Sequence, residues 1–147
     1  MEVKYALKAS APEFFAVIRN SVLEELRTFG KHGPDEEHIE AGMAYSKVLK
    51  RGRHRTRTIV KISQYEENKN YQTRIKSEDG RIFEITYLLE PIENGGCGLT
   101  YSEEIYRPDG TRDERMRTFL FSKISARSIK RRFRKIDKMI QQRKNSK

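Results

Sequence analysis

A single cysteine, Cys97, occurs in the 147 residues, so no intrachain disulfide can form and zinc sites built from several thiolates are excluded. No apolar run approaches the ~20 residues that a membrane-crossing helix needs. The opening Met1-Glu2-Val3-Lys4-Tyr5 also lacks the apolar stretch of a secretory leader. The expected compartment is therefore the cytoplasm. The usual enzyme signatures are missing too: no Gly-rich phosphate loop opens a helix, and there is no paired-histidine metal motif and no nucleophile elbow. Asn94-Gly95-Gly96-Cys97-Gly98 is rich in glycine but sits between two strand-like runs, so it reads as a hairpin turn. Cys97 has no recognisable base beside it, and His32, His38 and His54 are scattered over loops and a strand edge. No metal or cofactor is expected, and catalysis of the cyclase or hydrolase kind, which needs few fixed residues, is the third-ranked reading.

What is present is a hydrophobic fraction of 35% beside a charged fraction of 35%, the balance of one compact core under a heavily charged surface. The length fits one domain, 1–147. The net charge of +10 is unevenly placed: residues 112–147 hold 14 of the 31 Lys and Arg but 3 of the 21 Asp and Glu, so this segment carries +11 and the remainder −1. The basic character thus belongs to the last element rather than to the whole surface.

Val3, Tyr5 and Leu7 alternate with polar or small residues and predict a short strand. Ser10-Ala11-Pro12-Glu13 predicts a helix start, with Ser10 as cap, Pro12 in the first turn and Glu13 complementing the helix dipole. Phe14, Phe15, Ile18, Val22, Leu23 and Leu26 then form one helical stripe that Gly30 ends. From Ile39 to Tyr106 the period drops to 2, and turn residues (Lys50-Arg51-Gly52, Asn68-Lys69-Asn70, Asp79-Gly80 and Asn94-Gly95-Gly96) divide the run into about five antiparallel strands. From about Arg112 the chain has no Gly or Pro and predicts one long helix. Ala126, Ile129, Phe133, Ile136 and Ile140 share its apolar face, and Arg127, Arg131, Arg134 and Lys138 share the opposite one at ~100° per residue.

Strand, helix, antiparallel meander and long C-terminal helix is an order in which the sheet can curl around the last helix. This order resembles the helix-grip fold of the START-like, or Bet v 1-like (SRPBCC), superfamily, and Ala9-Ser10-Ala11-Pro12-Glu13-Phe14-Phe15 is similar to that superfamily's first strand-to-helix junction. Together with Thr86-Tyr87-Leu88-Leu89-Glu90-Pro91 and the basic last helix, the chain more narrowly resembles an uncharacterised bacterial family within it, the domain of unknown function numbered 3284. The resemblance implies an α+β fold of about six strands with an apolar cavity. Members of the superfamily bind lipids, hormones or polyketides, or act as cyclases, hydrolases or co-chaperones. It supplies no catalytic residues to carry over.

Curling of the sheet would bring Met43, Tyr45, Val60, Tyr71, Ile75, Phe83, Ile85, Tyr87, Leu99 and Tyr101 to face Phe119, Ser122, Ala126 and Ile129 of the helix. Small residues at Ser122, Ser125 and Ala126 would leave room for a small apolar or amphipathic ligand. The same list also describes a filled core, and a bulge would invert part of a strand. Glu103 falls in phase with Leu99, Tyr101 and Ile105, so its carboxylate either orients a ligand or reaches solvent at the rim. The alternative is an interaction module that meets nucleic acid, anionic membrane or an acidic partner through Arg127, Arg131, Arg134 and Lys138. A second cluster, Lys50, Arg51, Arg53, His54, Arg55 and Arg57, would join it if the two lie side by side. No recognised nucleic-acid motif accompanies either cluster. Oligomeric state is left open by the sequence.

Overall fold

In a computed structural model, which describes residues 1–113 and 126–146, the first alternating run is strand β1 (Glu2–Leu7) and the first helical stripe is α1 (Ala11–Phe29). Ser10 caps α1 through a reciprocal box: its hydroxyl accepts from the Glu13 N–H at 3.3 Å, and the Glu13 carboxylate accepts from the Ser10 N–H at 2.9 Å. All six residues of the predicted stripe are buried.

The meander consists of β2 (Ala44–Arg51), β3 (His54–Glu66), β4 (Asn70–Ser77), β5 (Ile82–Pro91) and β6 (Cys97–Tyr106). With β1 they form a six-stranded antiparallel sheet in the order β1-β6-β5-β4-β3-β2. The turns fall where glycine and asparagine stand. Gly52, Asn68, Gly80 and Asn94 all have positive φ, the region that Gly and Asn tolerate best. Ile39 packs into the core, but regular pairing begins only at Ala44.

One face of the sheet carries the core. The pairs Val3–Tyr101, Tyr101–Tyr87, Tyr87–Tyr71 and Tyr71–Tyr65 are directly opposite one another, which draws a row of four tyrosines across β6, β5, β4 and β3. Their ring centroids are 5.0, 6.1 and 6.4 Å apart along the row, the spacing at which tilted aromatic pairs attract. Tyr65 joins this row because the pairing of β3 with β4 shifts between Ile62 and Gln64. The bulge moves the phase by one residue, so Tyr65 rather than Gln64 turns inward.

The last described helix, α2 (Ala126–Asn145), lies on the same face, packed on β1 and touching α1. Phe133 is its central knob, with its ring 5.5 to 6.4 Å from those of Tyr5, Phe14, Tyr87 and Tyr101. Asp137 is buried at 6% exposure although it stands in a basic helix. Its two carboxylate oxygens accept from the backbone N–H groups of Lys8 and Ala9, each at 2.9 Å, and so tie α2 to the β1–α1 junction. Lys144 adds an ion pair to Glu13 at 3.3 Å. The predicted helix does not extend back to Arg112: that residue bridges to Tyr106 in extended pairing and its guanidinium lies 2.9 Å from Glu104. Residues 114–125 lie outside the described residues. Among the described residues, no helix is long and apolar enough to cross a membrane.

Candidate functional site

Between α1, α2 and the inner face of β2–β5 lies a cavity of about 350 Å³, within the range of small-molecule sites. The row Phe14, Ile18, Val22 and the adjacent row Val17, Ser21, Glu25 supply the α1 wall. Each row repeats every fourth residue, so both run along the helix toward the same neighbour. The sheet supplies Tyr45, Lys47 and Leu49 from β2, Thr58 and Val60 from β3, Tyr71, Thr73 and Ile75 from β4, and Tyr87 from β5. From α2 come Arg132, Phe133 and Ile136.

Most of this wall is apolar, and several of its polar groups are held in place. Thr58 Oγ1 donates to the Lys47 carbonyl at 2.7 Å and Thr73 Oγ1 to the Lys61 carbonyl at 3.2 Å, so both hydroxyls are satisfied by backbone. At the β2 end Lys47 Nζ donates to Glu25 Oε1 at 2.7 Å, while Glu25 Oε2 is buried and has no hydrogen-bond partner among the described residues. Burial raises the Tyr45 hydroxyl well above the ordinary tyrosine value, and the neighbouring Glu25 carboxylate adds to this. Burial likewise raises Tyr71 and pushes Tyr87 up to about 12, with the Arg132 guanidinium pulling the other way. A neutral phenol is thus the form this wall keeps.

Of the sequence-predicted lining, the structure brings Tyr45, Val60, Tyr71, Ile75 and Tyr87 to the cavity. Met43, Phe83, Ile85, Leu99, Tyr101 and Ile129 point to the same face but pack in the core beside it. Ala126 is a correction: it is exposed at the first turn of α2 and does not line the cavity, because the helix residues that reach inward lie about two and three turns further on. Phe119 and Ser122, with Ser125, lie outside the described residues. The sequence reading left out the α1 wall, Lys47, Leu49, Thr58, Thr73, Arg132, Phe133 and Ile136. The fourfold repeat of Val17, Ser21 and Glu25 beside the apolar stripe of α1 was the available signal.

Glu103 does not reach solvent. It is 3% exposed on the inner face, opposite Ile85, and accepts from the Tyr101 hydroxyl, while its Oε2 has no partner among the described residues. It is not part of the cavity wall. Burial is the main cause that raises Tyr101, with Tyr87 and Glu103 adding to it. Glu104 points the other way, toward Arg112 and Tyr106. Cys97, read as part of a turn, is instead the buried first residue of β6, and burial pushes its thiol up, which disfavours the nucleophilic thiolate. His32 contacts the His38 carbonyl at 2.6 Å, and among the described residues no three metal-ligating side chains gather.

Arg127, Arg131, Arg134 and Lys138 are all exposed on α2, and none has an ion-pair partner among the described residues. Lys50, Arg53, His54, Arg55 and Arg57 are exposed around the β2–β3 hairpin. That hairpin forms the edge of the sheet opposite β1, on which α2 packs, so sheet order separates the two clusters. The Arg51 side chain lies outside the described residues.

A six-stranded antiparallel sheet with two helices on one face and a cavity beneath them defines a Bet v 1-like, helix-grip α+β protein, and solved structures agree. Ara h 8.0201 superposes with a TM-score of 0.59 at 13% identity, over 97% of each chain. Norcoclaurine synthase from Thalictrum flavum gives 0.56 at 13% identity, covering 95% of this chain and 84% of its own. A conserved protein from Geobacillus kaustophilus gives 0.53 at 17% identity, covering 96% and 94%. At such identities the likeness is one of fold. Residues 1–124 match the DUF3284 family, a domain of unknown function, and the chain belongs to that family. Comparison with curated proteins finds no match.

Proposed function

We propose that this protein binds a small, mainly apolar or amphipathic molecule in the cavity between α1, α2 and the sheet, with carriage or sensing of that molecule as its task. The observation that carries the proposal is the space itself. About 350 Å³ of space, partly open to solvent, lies between α1, α2 and the sheet, the size of a small-molecule site. The wall pairs apolar surface with a few fixed polar groups, the usual composition of a ligand site.

Titration of the folded protein with the neutral dye Nile red tests this. Saturable one-to-one binding, displaced by a competing amphiphile, is expected. Ile75→Trp should abolish it by filling the space, whereas Ala126→Trp, outside the cavity, should leave it intact. Dye binding unchanged in Ile75→Trp would place the site elsewhere.

A second reading is favoured by the row of exposed cations Arg127, Arg131, Arg134 and Lys138, which have no ion-pair partner among the described residues: α2 as a contact for an anionic polymer or membrane surface. Affinity for single-stranded oligonucleotide or anionic vesicles should then fall steeply with salt. Salt-independent or absent binding would leave this face as a solvated one.

A further inference from the structure

We infer that the molecule held in the cavity is a carboxylate, a small monoanionic amphiphile whose charged end pairs with Arg132. This inference rests on the cavity reading and adds the chemistry of the ligand.

The charges on the wall do not cancel. Glu25 and Lys47 neutralise each other at 2.7 Å. Arg132 is the remaining charged residue of the wall, and it has no ion pair or hydrogen bond among the described residues. Like the other cations of its helix it is exposed, and it differs from Arg127, Arg131, Arg134 and Lys138 in lining the cavity. Arg132 is three residues after Ile129 and four before Ile136, so it flanks the buried stripe, whereas Arg127, Arg131, Arg134 and Lys138 point away. It lines the cavity together with Phe133 and Ile136. Its charge reaches far enough along the wall to oppose the effect of burial on Tyr87 and Tyr101. One oxygen of the buried Glu103 carboxylate accepts from Tyr101, and Glu103 is not in the wall.

A guanidinium beside apolar surface is well suited to a carboxylate, because two parallel N–H groups match its two oxygens. One negative charge on the ligand would bring the wall to neutrality. The space equals about a dozen water volumes, which suits a medium-sized apolar body.

The test uses calorimetric titration of the full chain with decanoate and with 1-decanol, both kept below their aggregation limits. Three variants accompany it: Arg132→Gln, Arg132→Lys and, as a charge-matched control on the outward face, Arg134→Gln. Arg132 makes no contact with another charged side chain among the described residues, so all three should keep the unfolding midpoint of the parent. The expected result is that decanoate binds and Arg132→Gln weakens it about fivefold, the worth of one solvent-accessible ion pair. Arg132→Lys should recover part of the loss, Arg134→Gln should change little, and 1-decanol should bind all four proteins alike. If 1-decanol binds but decanoate does not, or if Arg132→Gln and Arg134→Gln weaken decanoate equally, the pairing is refuted while the cavity stands. If neither compound binds, the cavity reading falls and this inference falls with it.

Discussion

Replacement of Asp137 by alanine should loosen the protein more than loss of any other charged side chain on α2. The two oxygens of Asp137 accept from Lys8 N–H and Ala9 N–H, both at 2.9 Å. Hydrogen bonds to a charged acceptor contribute about 1.5–3 kcal/mol each, and a buried donor left without a partner costs about 1–3 kcal/mol. Ala9 is 0% exposed, so its N–H has no route to water, whereas Lys8 is exposed and its N–H can partly hydrate. The combined loss is about 3–4 kcal/mol, since one of the two donors recovers some hydration. For a chain of this size that lowers the unfolding midpoint by roughly 10–15 °C. Asp137→Asn should cost less, about 2 kcal/mol, because the amide oxygen keeps one bond while its NH₂ meets the other donor. Lys138→Ala, the exposed neighbour, should stay within about 0.5 kcal/mol. Urea unfolding followed by far-ultraviolet circular dichroism reads all three. A loss under about 1 kcal/mol for Asp137→Ala would refute the claim that this carboxylate holds α2 to the β1–α1 junction.

Three further outcomes follow from the same geometry. Ile75→Trp should remove dye binding with little change in far-ultraviolet signal, and Ala126→Trp should not. A reversed pattern would move the site toward the start of α2. The Ser10 N–H, the Ser10 hydroxyl and Lys144 hold Glu13 below its ordinary value of 4.5. Its contribution is therefore present above that value and lost as pH falls through the lower folded-state value. The stability difference between the parent and Glu13→Gln should accordingly shrink toward zero in acid, and a difference independent of pH would contradict the capping role. Tyr45, Tyr71, Tyr87 and Tyr101 are all raised by burial, Tyr87 to about 12. The stability this represents is complete below the ordinary value of 10.0 and lost as pH climbs through the folded-state values. Tyrosinate absorbance from these four should therefore appear only as the fold is lost. Smooth titration of all tyrosines near pH 10 would show the row to be wet.

Much of the fold was legible because local signals agreed with the tertiary answer. Ser10 and Glu13 announce α1, its stripe is buried as spaced, and Gly52, Asn68, Gly80 and Asn94 stand where positive φ is required. Tyr65 was not legible, since a bulge between Ile62 and Gln64 changes the phase of β3 and nothing in its residues announces one. The cavity was expected beneath the middle of the last helix, yet its helical side is walled more by α1 than by α2. Amphipathic spacing shows which face of a helix is covered but does not show whether the partner surface is in contact or held a few ångströms off. The Glu25–Lys47 pair joins residues from two elements and has no local trace in the sequence. Asp137 and Arg132 did leave one: both fall on or beside the apolar stripe of an otherwise outward-facing charge pattern, Asp137 four residues after Phe133 and three before Ile140. A charged residue out of phase with its helix is a signal that periodicity averages conceal.

The central claim is that the space between α1, α2 and the sheet is open rather than filled. Diffraction from crystals held under xenon tests it most directly, because xenon enters apolar cavities and marks them. The account predicts a xenon site among Phe14, Ile18, Val60, Ile75 and Phe133. Absence of xenon there, with those side chains in mutual van der Waals contact, would contradict it.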